Sequence, residues 1–248
     1  MAAPRVALIT GGASGIGLAV AKRLLSQSWN VFIVDRNLTN AASLGQQCPN
    51  AVFFEAQVTN YAELADAFDK TYNDVNRIDF VFANAGITDP RTFYDVQPTT
   101  PPPPPPLSVI DINLKGVAST IYLAQHYFRL SRQNGVSNYD PSIIVTASIA
   151  ALMSEPSIPL YTAAKRGLVA FTQTMSGPLF ENDGIRLSCL CPGRVRTNMT
   201  SQASRNLPDD KFAPIEYVCD AVEDLISPNG MYGRVVKIMP DGIIDVDV

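Results

Sequence analysis

The feature that most constrains this chain is a glycine run, Thr10-Gly11-Gly12-Ala13-Ser14-Gly15-Ile16-Gly17, set between an apolar stretch from Val6 to Thr10 and a helical stretch that begins Leu18, Ala19, Val20. Glycines at a strand-to-helix junction let the backbone turn tightly and approach a diphosphate, whose charge then meets the free amides and positive end of the helix. A glycine cluster alone is weak evidence. Its position after a strand and before a helix strengthens it, as does Asp35 at the end of the next apolar run, about twenty residues on.

Asp35 is placed to accept hydrogen bonds from adenosine ribose hydroxyls, and its carboxylate repels a ribose 2′-phosphate, so NAD is favoured over NADP. Arg36 is the counter-signal, because an arginine there can hold that phosphate, and NADP stays possible. Two other readings fail. Gly12 and Gly17 have P-loop spacing, but Leu18 and Ala19 replace the lysine and hydroxyl that a P-loop needs. Around Ser14, Ile16 breaks a nucleophile elbow.

Short runs rich in Val, Ile and Phe alternate with longer stretches of helical periodicity, which predicts one α/β domain over residues 1–248: a doubly wound (Rossmann) fold with a seven-stranded parallel sheet flanked by helices on both faces. The strands are expected at Val6 to Thr10, Val31 to Val34, Val52 to Glu55, Phe80 to Ala83, Ser142 to Thr146, Arg186 to Cys191 and Arg234 to Met239. Helices are expected at Gly15 to Ser26, Thr39 to Gln47, Tyr61 to Tyr72, Leu107 to Leu130, Tyr161 to Glu181 and Ile215 to Ile226. In the fourth, Ile110, Leu114, Val117, Ile121, Ala124 and Phe128 repeat at helical spacing. Asn113 and Gly116 interrupt it, which fits either a functional break or a packing need. The loop at 88–106 ends in six prolines, Pro101 to Pro106. Such a run forms a stiff segment of roughly 19 Å that fixes the start of the long helix, and a docking site for a proline-reading partner is the alternative.

At 248 residues, with net charge −4 and pI about 5.0, the chain has no basic field for nucleic acid or an acidic membrane surface. No targeting segment and no apolar run long enough for a membrane span are read. Cys48, Cys189, Cys191 and Cys219 are scattered, with Cys189 and Cys191 on one face of a strand, and are read as reduced thiols of a cytoplasmic protein. His126 is the only histidine, so no histidine-based hydrolase or metal site is expected.

Tyr161 and Lys165 stand at i and i+4, with Ser148 upstream. On a helix both side chains leave one face a turn apart, which sets an ammonium beside a phenol. Bringing a phenol from about 10 to neutrality takes roughly 4 kcal/mol, which a lysine and a cationic cofactor can supply together. The pair by itself also fits a solvated helix face.

Taken together these residues resemble the short-chain dehydrogenase/reductase family in its single-domain form, over essentially the whole chain. Gly11-x3-Gly15-x-Gly17, Asn84-Ala85-Gly86, the set Asn113, Ser148, Tyr161 and Lys165, and Pro192-Gly193 followed by Thr197 match its motifs. The resemblance implies cofactor contacts at Gly11, Ser14, Gly15, Ile16, Gly17, Asp35, Gln57, Val58, Asn84, Ala85, Gly86, Tyr161, Lys165, Pro192, Gly193, Val195 and Thr197. It implies that Tyr161 is the acid/base, that Ser148 binds the substrate oxygen, and that Lys165 lowers the tyrosine pKa and holds the nicotinamide ribose. Asn113 positions a relay water and Thr197 binds the carboxamide. The family often has aspartate where this chain has Gln57, and the proline run is unusual for it.

Within the family the chain looks most like prostaglandin-dehydrogenase-like members that oxidise secondary alcohols with NAD. Substrate choice is expected from loops at the carboxyl ends of the strands, Thr88 to Tyr94, Ile149 to Leu160 and the loop or lid at 198–214. Their apolar residues (Phe93, Leu152, Met153, Ile158, Met199, Leu207, Phe212) suggest an apolar alcohol or ketone, and core packing is the alternative for each. A homodimer or homotetramer is expected through the fourth and fifth helices, because Val109, Ile112, Tyr122 and Leu123 are apolar beyond the fourth helix's core stripe.

Overall fold

Strands buried on both faces belong in the interior of a parallel sheet, and that is where the computed structural model places most of these. It describes residues 3–39, 45, 48–90, 93–94, 100–136, 139–200, 206–228 and 230–247. In chain order the elements are β1 (Val6–Thr10), α1 (Gly15–Ser26), β2 (Asn30–Asp35), β3 (Ala51–Glu55), α2 (Tyr61–Val75), β4 (Phe80–Ala83), α3, β5 (Ser142–Thr146), α4 (Pro159–Asp183), β6 (Arg186–Pro192), α5 (Ile215–Ile226), β7 (Val235–Met239) and β8 (Gly242–Asp245). α3 is a composite: an α turn (Ser108–Ile110), a π-helical segment (Asp111–Gly116) and a regular helix (Val117–Gln133).

The sheet order is β3-β2-β1-β4-β5-β6-β7-β8. The first seven strands are parallel and β8 returns antiparallel on β7. The described sheet therefore has eight strands where the sequence predicts seven. β8 is hard to read because it is a four-residue edge strand whose two apolar residues, Ile243 and Ile244, are exposed, and it follows β7 after a short turn. The order reverses between β1 and β4, the kind of switch point at which open α/β sheets bind ligands.

Side chains alternate across each strand, so two cores form. On one side Leu8, Val81, Ile143, Val145 and Leu187 meet α2, α3 and α4 through Phe68, Ile121, Phe128 and Leu168. On the other, Ile9, Ile33, Phe82, Ile144 and Leu190 meet α1 and α5 through Val20, Leu24, Val218 and Val222.

The break expected around Asn113 and Gly116 is the π-helical segment. Gly116 has a packing cause: a Cβ there would lie 2.7 Å from Val58 Cγ2. Asn113 lies in the π turn with its side chain on the backbone after β4, and such single-turn bulges are frequent at functional sites. The proline run from Pro101 to Pro105 is exposed and leads directly into α3, with the Leu107 N–H donated to Pro105 O at 2.8 Å. The helix expected from Thr39 to Gln47 lies largely outside the described residues, as do parts of the loops at 88–106 and 198–214.

Candidate active site

The glycine turn is shaped for close approach. Gly11 and Gly15 have φ of 65° and 53°, where a side chain is strained. A Cβ on Gly17 would lie 2.3 Å from Gly11 O, and one on Gly11 would lie 2.8 Å from Ala85 Cα. Ser14 precedes α1 without making a side-chain cap, which leaves the first amides of the helix facing the turn. Asp35 ends β2 with its carboxylate fixed by two backbone donors, Ala13 N at 3.1 Å and Asn37 N at 3.2 Å. These features fit a dinucleotide diphosphate and ribose: an open cradle of amides with an oriented acceptor beside it.

Across the switch point, Asn84, Ala85 and Gly86 do structural work. Asn84 Nδ2 donates to Thr10 O and Gly11 O at 3.3 and 3.1 Å, and its Oδ1 accepts from Thr146 Oγ1 at 3.0 Å. Its side chain thus clasps β1, β4 and β5. Thr10, unremarked in the sequence, accepts from the backbone of both Asn84 and Ala85 through Oγ1. Gly86 is the spacer between two catalytic candidates: a Cβ there would lie 3.0 Å from Asn113 Oδ1 and 3.5 Å from Lys165 Nζ.

Asn113 is fully buried, and its amide grips one residue at both ends, accepting from Ile87 N at 2.8 Å and donating to Ile87 O at 2.7 Å. Its side chain is therefore committed to the backbone after β4. Ser148 follows β5, is nearly buried, and accepts from Ala150 N at 3.2 Å. Its hydroxyl lies close enough to the Tyr161 phenol to favour the phenolate. Tyr161 lies in the first turn of α4 and Lys165 one turn later, with Nζ 5.5 Å from the phenol ring centroid. Lys165 is 2% exposed and donates to Thr146 O at 2.6 Å.

The electrostatics differ from the sequence expectation. Burial pushes the Tyr161 phenol above its ordinary value, opposed by the nearby Ser148 hydroxyl. Burial also pushes Lys165 down to about 8. The lysine lies beside the phenol, and both groups are held out of water, which disfavours the charged form of each. The neighbouring thiols of Cys189 and Cys191, both buried on β6, interact with each other, with the Cys189 thiol pushed up and the Cys191 thiol held down.

The remaining residues split between pocket and packing. Val58 packs on Gly116, and the Gln57 side chain is exposed while its N–H is donated to Glu63 Oε2 at 2.9 Å. After β6, Gly193 N–H is donated to Ile238 O, Val195 is buried, and Thr197 folds back so that a Cβ on Gly15 would lie 3.2 Å from Thr197 Cβ and Cγ2. Of the apolar loop residues, Phe93, Met153 and Met199 are exposed, whereas Phe212 is buried beneath the Arg196 guanidinium, 4.0 Å from its ring centroid. Phe212 is packing. Of the residues thought to widen the apolar face of α3, Val109 and Leu123 are covered by the chain itself and Tyr122 is exposed.

Asp89 is the contact the sequence concealed. Its carboxylate accepts from Leu160 N at 3.2 Å and Tyr161 N at 2.8 Å. The one available signal was negative: Pro159 announces a helix start, and Ile158 before it cannot cap.

Comparison with known proteins agrees with this geometry. A family model described as short chain dehydrogenase matches residues 5–208. A short-chain dehydrogenase/reductase, prx7, of Penicillium rubens is 39% identical over 227 residues, covering 88% of this chain and 79% of the relative. The human 15-hydroxyprostaglandin dehydrogenase [NAD(+)] is 32% identical over 238 residues, covering 92% and 80%. Among solved structures, a 3-ketoacyl-(acyl-carrier-protein) reductase from Brucella melitensis in complex with NADH superposes with a TM-score of 0.81 at 24% identity, over 95% of this chain and 97% of that one. ElxO with NADP bound gives a TM-score of 0.76 at 22% identity, over 95% and 97%. The chain belongs to the short-chain dehydrogenase/reductase family of NAD(P)-dependent oxidoreductases.

Proposed function

We propose that this protein oxidises a secondary alcohol with NAD, or reduces the matching ketone in the reverse direction. The observation that carries the reading is the convergence of Ser148, Tyr161 and Lys165 at the carboxyl ends of β5 and β6, next to a glycine cradle and an oriented Asp35. A bound nicotinamide dinucleotide supplies the hydride acceptor and a positive charge. The cradle amides and the end of α1 would hold its diphosphate, Asp35 its adenosine ribose, and Thr197 its carboxamide end.

Tyr161 takes the hydroxyl proton as the carbonyl forms, and Ser148 donates a hydrogen bond to the same oxygen, where charge develops. The phenol stands above its ordinary pKa in this structure, so it needs added positive charge to work near neutrality. Lys165, already within reach of the ring, supplies part of that charge when it is protonated. Asn113 holds the loop at Ile87 in place beneath the reacting groups. Phe93, Met153 and Met199, exposed on the candidate substrate loops, favour an apolar substrate. The 32% identity to a dehydrogenase named for a hydroxyprostaglandin supports a secondary alcohol.

A second reading, an NADPH-dependent ketone reductase, is favoured by a cavity of about 570 Å³ lined by Arg36, Asn37, Leu38, Thr39 and Glu55. Arg36 can meet a 2′-phosphate there, while Glu55, in register with Asp35 on the neighbouring strand, opposes it. Calorimetric titration with NAD and NADP decides between them, followed by a secondary-alcohol screen with the tighter cofactor. Tighter NADP binding would overturn the assignment of Asp35 over Arg36. We also read the protein as a cytoplasmic homo-oligomer. Support comes from a groove of about 330 Å³ outside α2, α3 and α4, lined by Tyr61, Tyr122, Phe171 and Met175 among others. No helix among the described residues is long and apolar enough to cross a membrane.

A further inference from the structure

The first turn of α4 carries Tyr161, and its amides need acceptors that the helix cannot provide. Pro159 brings no N–H. Ile158 donates its own N–H to Glu155 O at 3.2 Å, and Thr162 N–H already reaches Ile158 O at 2.9 Å. That leaves Leu160 and Tyr161, and Asp89 takes both, one on each carboxylate oxygen, at 3.2 and 2.8 Å. The cap comes from 71 and 72 residues upstream, not from the residue before the helix. Its negative charge also lies at the positive end of α4.

Asp89 sits two residues beyond Ile87, whose N–H and C=O are both held by Asn113. A short chain of contacts therefore runs from the π-helical turn of α3, through the backbone after β4, to the main chain of Tyr161. Building on the function proposed above, we infer that Asp89 is a positioning residue for the reaction. It fixes the backbone of Tyr161 against the loop that Asn113 anchors, and so sets where the phenol meets the substrate oxygen. It also ties the root of the candidate substrate loop, Thr88 to Tyr94, to the acid/base itself. A misplacement of a reacting group by about 1 Å can cost on the order of a hundredfold in rate, so a loosened first turn is felt in kcat.

Three variants test this. Asp89→Ala removes both acceptors. Asp89→Asn keeps one oxygen and sets an N–H against an N–H. Arg129→Ala is the control, since Arg129 pairs with Asp183 at the other end of α4, Nε to Oδ1 3.0 Å. With an alcohol found in the secondary-alcohol screen, Asp89→Ala should lower kcat about tenfold or more, Asp89→Asn less, and Arg129→Ala not at all. NADH affinity, read by fluorescence titration, should stay within about twofold in all three, because Asp89 is placed to act on the substrate step rather than on cofactor binding. Amide hydrogen exchange at Leu160 and Tyr161 should quicken in Asp89→Ala and stay unchanged in Arg129→Ala. Wild-type kcat in Asp89→Ala, an equal loss in Arg129→Ala, or unchanged exchange at those two amides would each overturn the inference. If Asp89→Ala does not fold, Asp89→Asn is judged on the same readings. A wild-type protein that binds NADH but oxidises no alcohol removes the proposed function and leaves the exchange measurement to decide the role of Asp89.

Discussion

Replacing Lys165 should expose a stability cost that the fold carries for its chemistry. The ammonium is 2% exposed, it donates a hydrogen bond to a neutral carbonyl, Thr146 O, and burial lowers its pKa from 10.5 to about 8. A difference of 2.5 between those values, at about 1.36 kcal/mol per pKa unit, amounts to about 3 kcal/mol. The sign follows from proton counting. Below the folded value the lysine is charged in both states, and the folded protein bears the full cost. Between about 8 and 10.5 the unfolded chain holds a proton that the folded chain has released, so stability rises with pH across this window. Lys165→Met keeps a similar volume and removes the charge. Urea unfolding of both proteins should give wild type a gain of about 2 to 3 kcal/mol over the variant between about pH 7 and 10. Cys219, pushed up to about 11 by burial on α5, is common to both proteins and cancels in the difference. Parallel pH profiles would refute the reasoning, by showing that the lysine is solvated or paired in the folded protein.

Asp35→Ala should weaken NAD binding and narrow the gap to NADP, because it removes the ribose acceptor and the repulsive charge together; an unchanged ratio of dissociation constants in calorimetry would count against Asp35. Light scattering at micromolar concentration should show a dimer or tetramer through the Tyr122 face of α3, and a single species at the chain mass of 26.8 kDa would end the oligomer proposal while leaving the catalytic reading intact.

What the sequence disclosed, and what it hid, follows the range of the interactions. Period and local chemistry expose anything built from neighbours: the strand-turn-helix at Gly11 to Gly17, the buried strands Val6–Thr10 and Ser142–Thr146, and the i, i+4 pair Tyr161 and Lys165 were all readable. The break in α3 was visible at Asn113 and Gly116, but its cause at Gly116 is the side chain of Val58, a contact between segments that no local pattern encodes. Asn84 matches a family motif, but the partners of its amide, Thr10, Gly11 and Thr146, lie far away in the chain and no local pattern names them. The edge strand β8 escaped because four residues, Gly242 to Asp245, are too short a run to show a strand period. Asp89 escaped because a cap reaching across the fold has no spacing rule. The phenol's pKa direction also escaped, since i, i+4 spacing gives proximity but not the degree to which both groups leave water.

The most direct test of the account is Tyr161→Phe, measured two ways on one preparation. The hydroxyl is assigned to proton transfer and not to cofactor binding, so NADH affinity by fluorescence titration should match wild type while turnover of the best alcohol falls by about a thousandfold or more, within the range expected for loss of an acid/base group. Turnover within tenfold of wild type would contradict the assignment of Tyr161 as the acid/base.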